Sequence, residues 1–342
     1  MPTVKAMAAE LAGGELKPFE YETGALGPTE VEIKVESCGI CHSDLSMLDN
    51  DWAQSVYPLV AGHEVSGTIT AMGERVSHLR TGQKVGLGWY MGSCMTCGQC
   101  MSGDHNLCGS RKDLIVGNHG GFASSVRCDA AWAVPIPEGV DAADAGPLFC
   151  GGITVFNPIV QMGVKPTDRV GVVGIGGLGH LALQFLSKWG CEVTAFTSSE
   201  SKMEEAKKLG AHKCVSSRDE NAIAAVGEKE STALDFLMVT VNVPLDWDAY
   251  FAALGKRGRM HFVGAVLEPI PVGAFTLIGG QKEISGTPLG SPQTTATMLE
   301  FCGRHGIKPQ TEHFPMSKAN DAIQYLKDGK ARYRIVLDQD LN

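Results

Sequence analysis

Between Cys94 and Cys108 the chain reads Cys94-Met-Thr-Cys97-Gly-Gln-Cys100-Met-Ser-Gly-Asp-His-Asn-Leu-Cys108. Thiolates this close, with Gly98 and Gly103 relieving the turns, can converge on one tetrahedral zinc and leave no coordination position open. The segment is polar and loop-like, which argues against four thiols that merely pack, and a closed zinc site supplies folding energy to a loop with little core of its own. A second set of soft ligands is dispersed. His63 stands between Gly62 and Glu64, Cys41 ends Cys38-Gly-Ile-Cys41 and is followed by His42, Ser43 and Asp44, and Cys150 lies much further along. Two thiolates and one imidazole leave a fourth position open, the arrangement of a catalytic zinc that polarises a carbonyl oxygen. Cys38 and Cys41 form a C-x-x-C, but no thioredoxin-like context surrounds it, and Cys38 is assigned a structural role.

A glycine cluster offers different chemistry. Gly174-Ile-Gly176-Gly177-Leu178-Gly179 follows the apolar run Arg169 to Val173 and opens an amphipathic helix. In that context the glycines give a tight turn, a backbone approach to pyrophosphate and close helix packing, with the helix N-terminus facing the phosphates. At the end of the next strand stands Thr197, where an NAD enzyme carries the acid that holds the adenine ribose. With no carboxylate to repel a 2′-phosphate, and with Ser198, Ser199 and Lys202 able to donate to it, NADP(H) is favoured over NAD(H). Glu200 is close by, and the two serines are equally suited to capping a helix.

These residues need a scaffold of two kinds. Residues 1 to 60 read as short β segments such as Val31 to Val35, Gly62 to Val76 alternates like a strand that holds His63, and Gly120 to Pro137 is again β. A short helix is expected from Ser43, and a more helical stretch between Asp144 and Cys150. From Asp168 strand and helix alternate, with strands at Arg169–Val173, Glu192–Phe196, Phe236–Val241, Met260–Gly264 and Glu283–Gly286 and helices at Leu178–Trp189 and Glu200–Leu209. That is a doubly wound parallel sheet. After Ser291 the pattern is mixed, and Ala331 to Leu337 reads as a closing strand. A cofactor domain, 151–290, is thus expected inside a catalytic domain made of 1–150 and 291–342, with a zinc lobe at about 89–112.

Composition narrows the class. A chain of 342 residues has room for two domains, and 44% hydrophobic with 20% charged residues suits a globular protein. A net charge of −9 without a basic stripe argues against nucleic acid as a partner. Eleven cysteines are an odd number for a disulfide framework. No run of about 18 apolar residues and no signal segment stand out, so no membrane partner and a cytoplasmic location are expected.

The segment Gly62 to Val76 matches the zinc signature of the medium-chain alcohol dehydrogenases, and the resemblance extends over essentially the whole chain. It is most similar to the cinnamyl-alcohol-dehydrogenase branch, near its bacterial NADPH-dependent aldehyde reductases, through Cys-Gly-Ile-Cys-His-Ser-Asp-Leu-Ser, Cys150-Gly-Gly-Ile-Thr154, Gly-Ile-Gly-Gly-Leu-Gly-His and the serine pair after the second strand. The resemblance implies an α/β protein with a GroES-like β-rich catalytic domain and an inserted Rossmann domain. It further implies two zinc ions per chain, NADP(H), an aldehyde or primary alcohol as substrate, and a homodimer. By position, Cys41, His63 and Cys150 hold the catalytic zinc, Cys94, Cys97, Cys100 and Cys108 the structural one, and Glu64 is an outer acid or alternative ligand. Asp44 orients His63, Ser43 carries the substrate proton, and His42 points at the cofactor pyrophosphate. Thr154 and Val241-Asn242-Val243 lie near the nicotinamide. Trp52, Trp89, Tyr90 and Leu289 line the substrate pocket or are plain core. Ser46 stands where plant members of the branch carry a relay histidine, which puts that proton exit in question. Two other readings are an NAD-dependent polyol or formaldehyde dehydrogenase, and a non-enzymatic cofactor-binding scaffold stabilised by its metals.

Overall fold

The computed structural model describes residues 2–341, which divide into two units, Met1–Ile153 with Gly290–Asn342, and Thr154–Leu289. In the first unit, period-two burial builds the sheet. Strand β3 (Glu30–Ile40) buries Val31, Ile33 and Val35 completely while Lys34 and Glu36 face solvent. It pairs antiparallel with β4 (Val65–Met72), β8 (Ser125–Asp129) and the last strand, β17 (Arg334–Asp338). The sheet runs β16 (Thr311–Pro315), β17, β3, β4, β5 (Lys84–Leu87), β9 (Val134–Pro135), with β8 joined to β3 off this path. Pairs β1 (Thr3–Ala8) with β2 (Lys17–Glu22), and β6 (Tyr90–Gly92) with β7 (Lys112–Asp113), stand apart from it. Four helices complete the unit: α1 (His42–Asp49), α2 (Gly98–Met101), α9 (Pro292–His305) and α10 (Ala319–Lys327).

Three local expectations are corrected. β4 begins only at Val65, where pairing with Cys38 starts, so His63 and Glu64 sit in the buried entry to the strand rather than on it. The closing strand begins at Arg334 rather than Ala331. The amides of Tyr333 and Arg334 both reach the Gln310 carbonyl there, which turns the chain before the ladder starts. Helix α1 begins one residue before Ser43, because Cys41 is the capping position.

The second unit is wound from β10 (Arg169–Val173), β11 (Glu192–Thr197), β12 (Lys213–Ser216), β13 (Leu234–Val239), β14 (Leu254–Phe262) and β15 (Glu283–Gly286). All pairings are parallel and the order is β12-β11-β10-β13-β14-β15. Helices α3 (Gly151–Gln161), α4 (Gly179–Trp189), α5 (Glu200–Lys208), α6 (Glu220–Ala225), α7 (Trp247–Ala253) and α8 (Ala274–Ile278) accompany them. Covering both faces of a parallel sheet demands continuous apolar strands, and Val170, Val172, Val173, Leu237, Met238 and Val239 are all buried. The winding reverses between β10 and β13, and ligands of such sheets bind at the carboxyl ends of the strands beside that reversal. No helix among the described residues is long and apolar enough to cross a membrane.

Candidate active site and metal centres

Asp44, fully buried in the first turn of α1, organises the first site. Its Oδ2 accepts the Cys41 amide at 2.9 Å, and its Oδ1 accepts the Gly62 amide at 2.8 Å and lies 2.9 Å from His63 Nδ1. A carboxylate at Nδ1 holds the proton on that nitrogen and leaves Nε2 as the free donor. Nε2 is 3.3 Å from Cys150 Sγ, which in turn is 3.9 Å from Cys41 Sγ. Donor atoms of Cys41, His63, Glu64 and Cys150 all lie within 4.8 Å of one another, and all four residues are buried. A tetrahedral zinc with Zn–S of about 2.3 Å and Zn–N of about 2.0 Å sets its donors roughly 3.5 to 3.8 Å apart. The thiols and imidazole therefore fit zinc as they stand.

Charge at this cluster is tightly balanced. Hydrogen bonding to Cys150 favours the Cys41 thiolate and holds Cys41 well below the usual thiol range, while the same contact and burial push Cys150 up. Two adjacent buried thiols resist a second ionisation, and a bound cation would remove that resistance. Burial opposes a charge on His63, but the Asp44 carboxylate outweighs it and raises the imidazole. Glu64 is pushed up by burial, against the pull of Arg334, with which it forms a buried ion pair. Burial alone would lower Arg334; the Glu64 carboxylate reverses the direction. Glu64 Oε2 and Arg334 Nε have no other partner among the described residues. Gly39 makes room for this pair, since a Cβ there would collide with the Glu64 carboxylate. Arg334 had no signal in the sequence: it shares no motif with Glu64 and lies 270 positions away.

Ser43 is half-buried with Oγ 3.8 Å from Cys41 Sγ, His42 is exposed at the helix start, and Ser46 is buried. Trp89 presents its edge to His63 at 4.9 Å between centroids, and Trp52 stands 6.0 Å from Trp89. Tyr90 packs edge-on against Trp132 at 5.6 Å beneath the Arg111 guanidinium. Leu289 belongs to the second unit, where its carbonyl accepts the Asn157 amide at 2.6 Å.

Cys94, Cys97, Cys100 and Cys108 form the second cluster, again with sulfurs within 4.8 Å of one another. Backbone amides point at them: Cys97 N to Cys94 Sγ at 3.3 Å, Ser110 N to Cys108 Sγ at 3.4 Å. Such donors favour thiolate, and the amides of Thr96 and Cys97 bring Cys94 down to about 6, while burial takes Cys100 up to about 11. Cys94 and Cys100 are 3.9 Å apart, which suits a closed tetrahedral site.

In the second unit a cleft of about 400 Å³ opens at the ends of β10, β11 and β13. Gly174, Gly176, Gly177, Leu178, Thr197, Ser198, Lys202 and Val241-Asn242-Val243 line it, joined by Ser217, which the sequence reading did not single out. Gly179 cannot carry a side chain, because a Cβ would meet the Gly174 carbonyl where α4 leaves the strand. Thr197 is 3% exposed, and no acid occupies its position. Ser199 caps α5 by accepting the Lys202 amide at 3.3 Å, and Thr154 is buried on α3; neither is among the residues lining the cleft.

Comparison with known proteins agrees with this construction. Residues 27–138 match the family model described as "Alcohol dehydrogenase GroES-like domain", and 177–304 match "Zinc-binding dehydrogenase". An aldehyde reductase of Synechocystis is 54% identical, the alignment covering 99% of this chain and all of the relative. A probable cinnamyl alcohol dehydrogenase of Arabidopsis thaliana is 37% identical over 97% of this chain and 93% of its own. Among solved structures, a cinnamyl alcohol dehydrogenase from Sorghum bicolor superposes with a TM-score of 0.94 at 34% identity, covering 100% of this chain and 99% of the other. One from Helicobacter pylori, complexed with NADP(H), gives 0.89 at 27% identity, covering 98% of each chain. The chain belongs to the zinc-binding medium-chain alcohol dehydrogenases, and within them to the cinnamyl-alcohol-dehydrogenase branch.

Proposed function

We propose that this protein is an NADP(H)-linked, zinc-dependent aldehyde reductase and alcohol dehydrogenase. The observation that carries the reading is the buried cluster of Cys41, His63 and Cys150, whose donor atoms already stand at zinc spacing. Zinc held by these three side chains would polarise the aldehyde oxygen, while NADPH supplies the hydride. Asp44 fixes the His63 tautomer, and Arg334 pairs with Glu64 inside the cluster and opposes the upward push of burial on its carboxyl. With an aldehyde and NADPH bound, Ser43 would hand a proton to the product oxygen, and with Ser46 in the helix that proton would be replaced by way of the cofactor ribose and water rather than through a relay histidine. His42 faces the cofactor pyrophosphate. Trp52 and Trp89 bound an apolar substrate site. Cys94, Cys97, Cys100 and Cys108 hold a second, structural ion.

Cofactor preference follows from the ribose end of the cleft. Ser198, Lys202 and the buried Thr197 leave it free of negative charge, which suits a 2′-phosphate. The edge of the second sheet at β15 and the exposed Leu267, Phe275 and Ile278 support a homodimer formed through that face.

The test is a panel of benzaldehyde, cinnamaldehyde and medium-chain aldehydes with NADPH and NADH, with zinc measured on the same sample. Turnover with NADPH preferred, and two zinc ions per chain, is expected. Activity undiminished in protein freed of zinc would overturn the reading, and equal specificity constants for the two cofactors would overturn the NADP preference.

A further inference from the structure

Tyr250, on α7, is 1% exposed, and its hydroxyl has no hydrogen-bond partner among the described residues. Buried hydroxyls without partners cost free energy and are rare in native interiors, so each one calls for a physical account. Most of this side chain is ordinary core: the ring stands edge-on to Phe196 at 5.4 Å and packs against Trp247 at 6.4 Å. A phenylalanine would serve that packing equally well and bury no polar atom. Yet Tyr250 also lines the nucleotide cleft, in company with the glycine loop, Ser198, Lys202 and Ser217. Burial takes its phenol up to about 12, so it remains a protonated donor throughout the working range.

We propose that the Tyr250 hydroxyl is held in reserve for the adenosine half of the dinucleotide, to which it donates a hydrogen bond when the cleft fills. The assignment to that half comes from its neighbours. Phe196 immediately precedes Thr197 at the carboxyl end of β11, where the adenosine ribose of a bound dinucleotide lies. Ser217, whose amide binds the Thr197 carbonyl at 3.0 Å, borders the same end of the cleft. The ligand would thus give this hydroxyl the partner that the described residues do not, and part of the binding free energy is that gain. The proposal rests on the dinucleotide reading given above.

Calorimetric titration of wild type and Tyr250→Phe with NADPH, NADH and adenosine 2′,5′-bisphosphate tests it, alongside melting temperatures without nucleotide. Expected is about a tenfold loss of affinity for whichever dinucleotide the wild type binds and for the bisphosphate, the scale of one lost buried hydrogen bond. The nucleotide-free variant should melt no lower than wild type. Affinities unchanged within about twofold would overturn the proposal, as would a variant that melts several degrees lower or fails to fold, since the hydroxyl would then serve the unliganded fold. Wild-type protein that binds none of the three ligands would overturn the dinucleotide reading itself, and this assignment with it.

Discussion

Ser43 illustrates how much depends on one position in a helix. Had it been the cap of α1, its hydroxyl would be committed to the backbone; Cys41 takes that place, and the Asp44 carboxylate answers the Cys41 amide. The Ser43 hydroxyl is left beside the Cys41 thiol, 3.8 Å away, and in the proposed reaction it is the proton donor. Ser43→Ala should therefore lower kcat by about 100-fold, the range of general acid catalysis, with zinc content and melting temperature unchanged. Single-turnover hydride transfer at the wild-type rate would contradict this. Thr197→Asp, at the adenosine-ribose end of the cleft, should weaken NADPH by like-charge repulsion and raise the relative use of NADH, read as the ratio of specificity constants. At this scale the sequence was informative where motif spacing sets geometry, as for Cys94, Cys97, Cys100 and Cys108, which do lie together; Cys41, His63 and Cys150 are far apart in the chain, and the fold brings them to one point. It was silent on Arg334 and Ser217, whose importance arises from sheet pairing and crossover rather than from any local pattern.

Elements differ in how they are held. The segment from Cys94 to Cys108 contains only α2 and one 3-10 turn at His105–Leu107, and Cys94 and Met101 are exposed. With so little apolar burial, the structural ion proposed for its four thiols would be its main source of order. Cys97→Ser should leave one zinc per chain and lower stability by about 3 kcal/mol or more, roughly 6 to 12 °C in Tm. Cys150→Ala should also leave one zinc but abolish turnover while the fold survives, because β3, β4 and the Asp44 network stay in place. Elemental analysis with scanning calorimetry on both variants checks the pair. The parallel strands were legible because burial on both faces forces apolar runs such as Arg169 to Val173. The two edges differ: β15 was read with its bounds, Glu283–Gly286, whereas β12 has only partly buried residues after an exposed lysine at its start, and no apolar signature marks it.

At the scale of the molecule, the first unit is assembled from distant parts of the chain. His313 on β16 bridges Asp144, through Nε2 at 3.0 Å, and Asp338 on β17, through Nδ1 at 2.9 Å. Thr311 also bonds Asp144. Partial burial opposes a charge on His313, and the two carboxylates overcome it, so its pKa lies above the usual value when folded. A raised folded pKa gives stability that is fully present below about 6.5, the unfolded value, and is lost as pH climbs through the folded one. Melting curves of wild type and His313→Gln should therefore differ most near pH 6 and converge by about pH 9; a constant difference would refute the clasp. The same discontinuity bears on the order in which the protein is made. Glu64 and its ligand neighbours leave the ribosome 270 residues ahead of Arg334, a delay of roughly 15 to 50 s at about 5–20 residues per second. Throughout that interval the Glu64 carboxylate lacks the guanidinium that pairs with it in the folded protein. A nascent chain has every reason to keep this acid in water, and the site closes dry only when the final strand arrives.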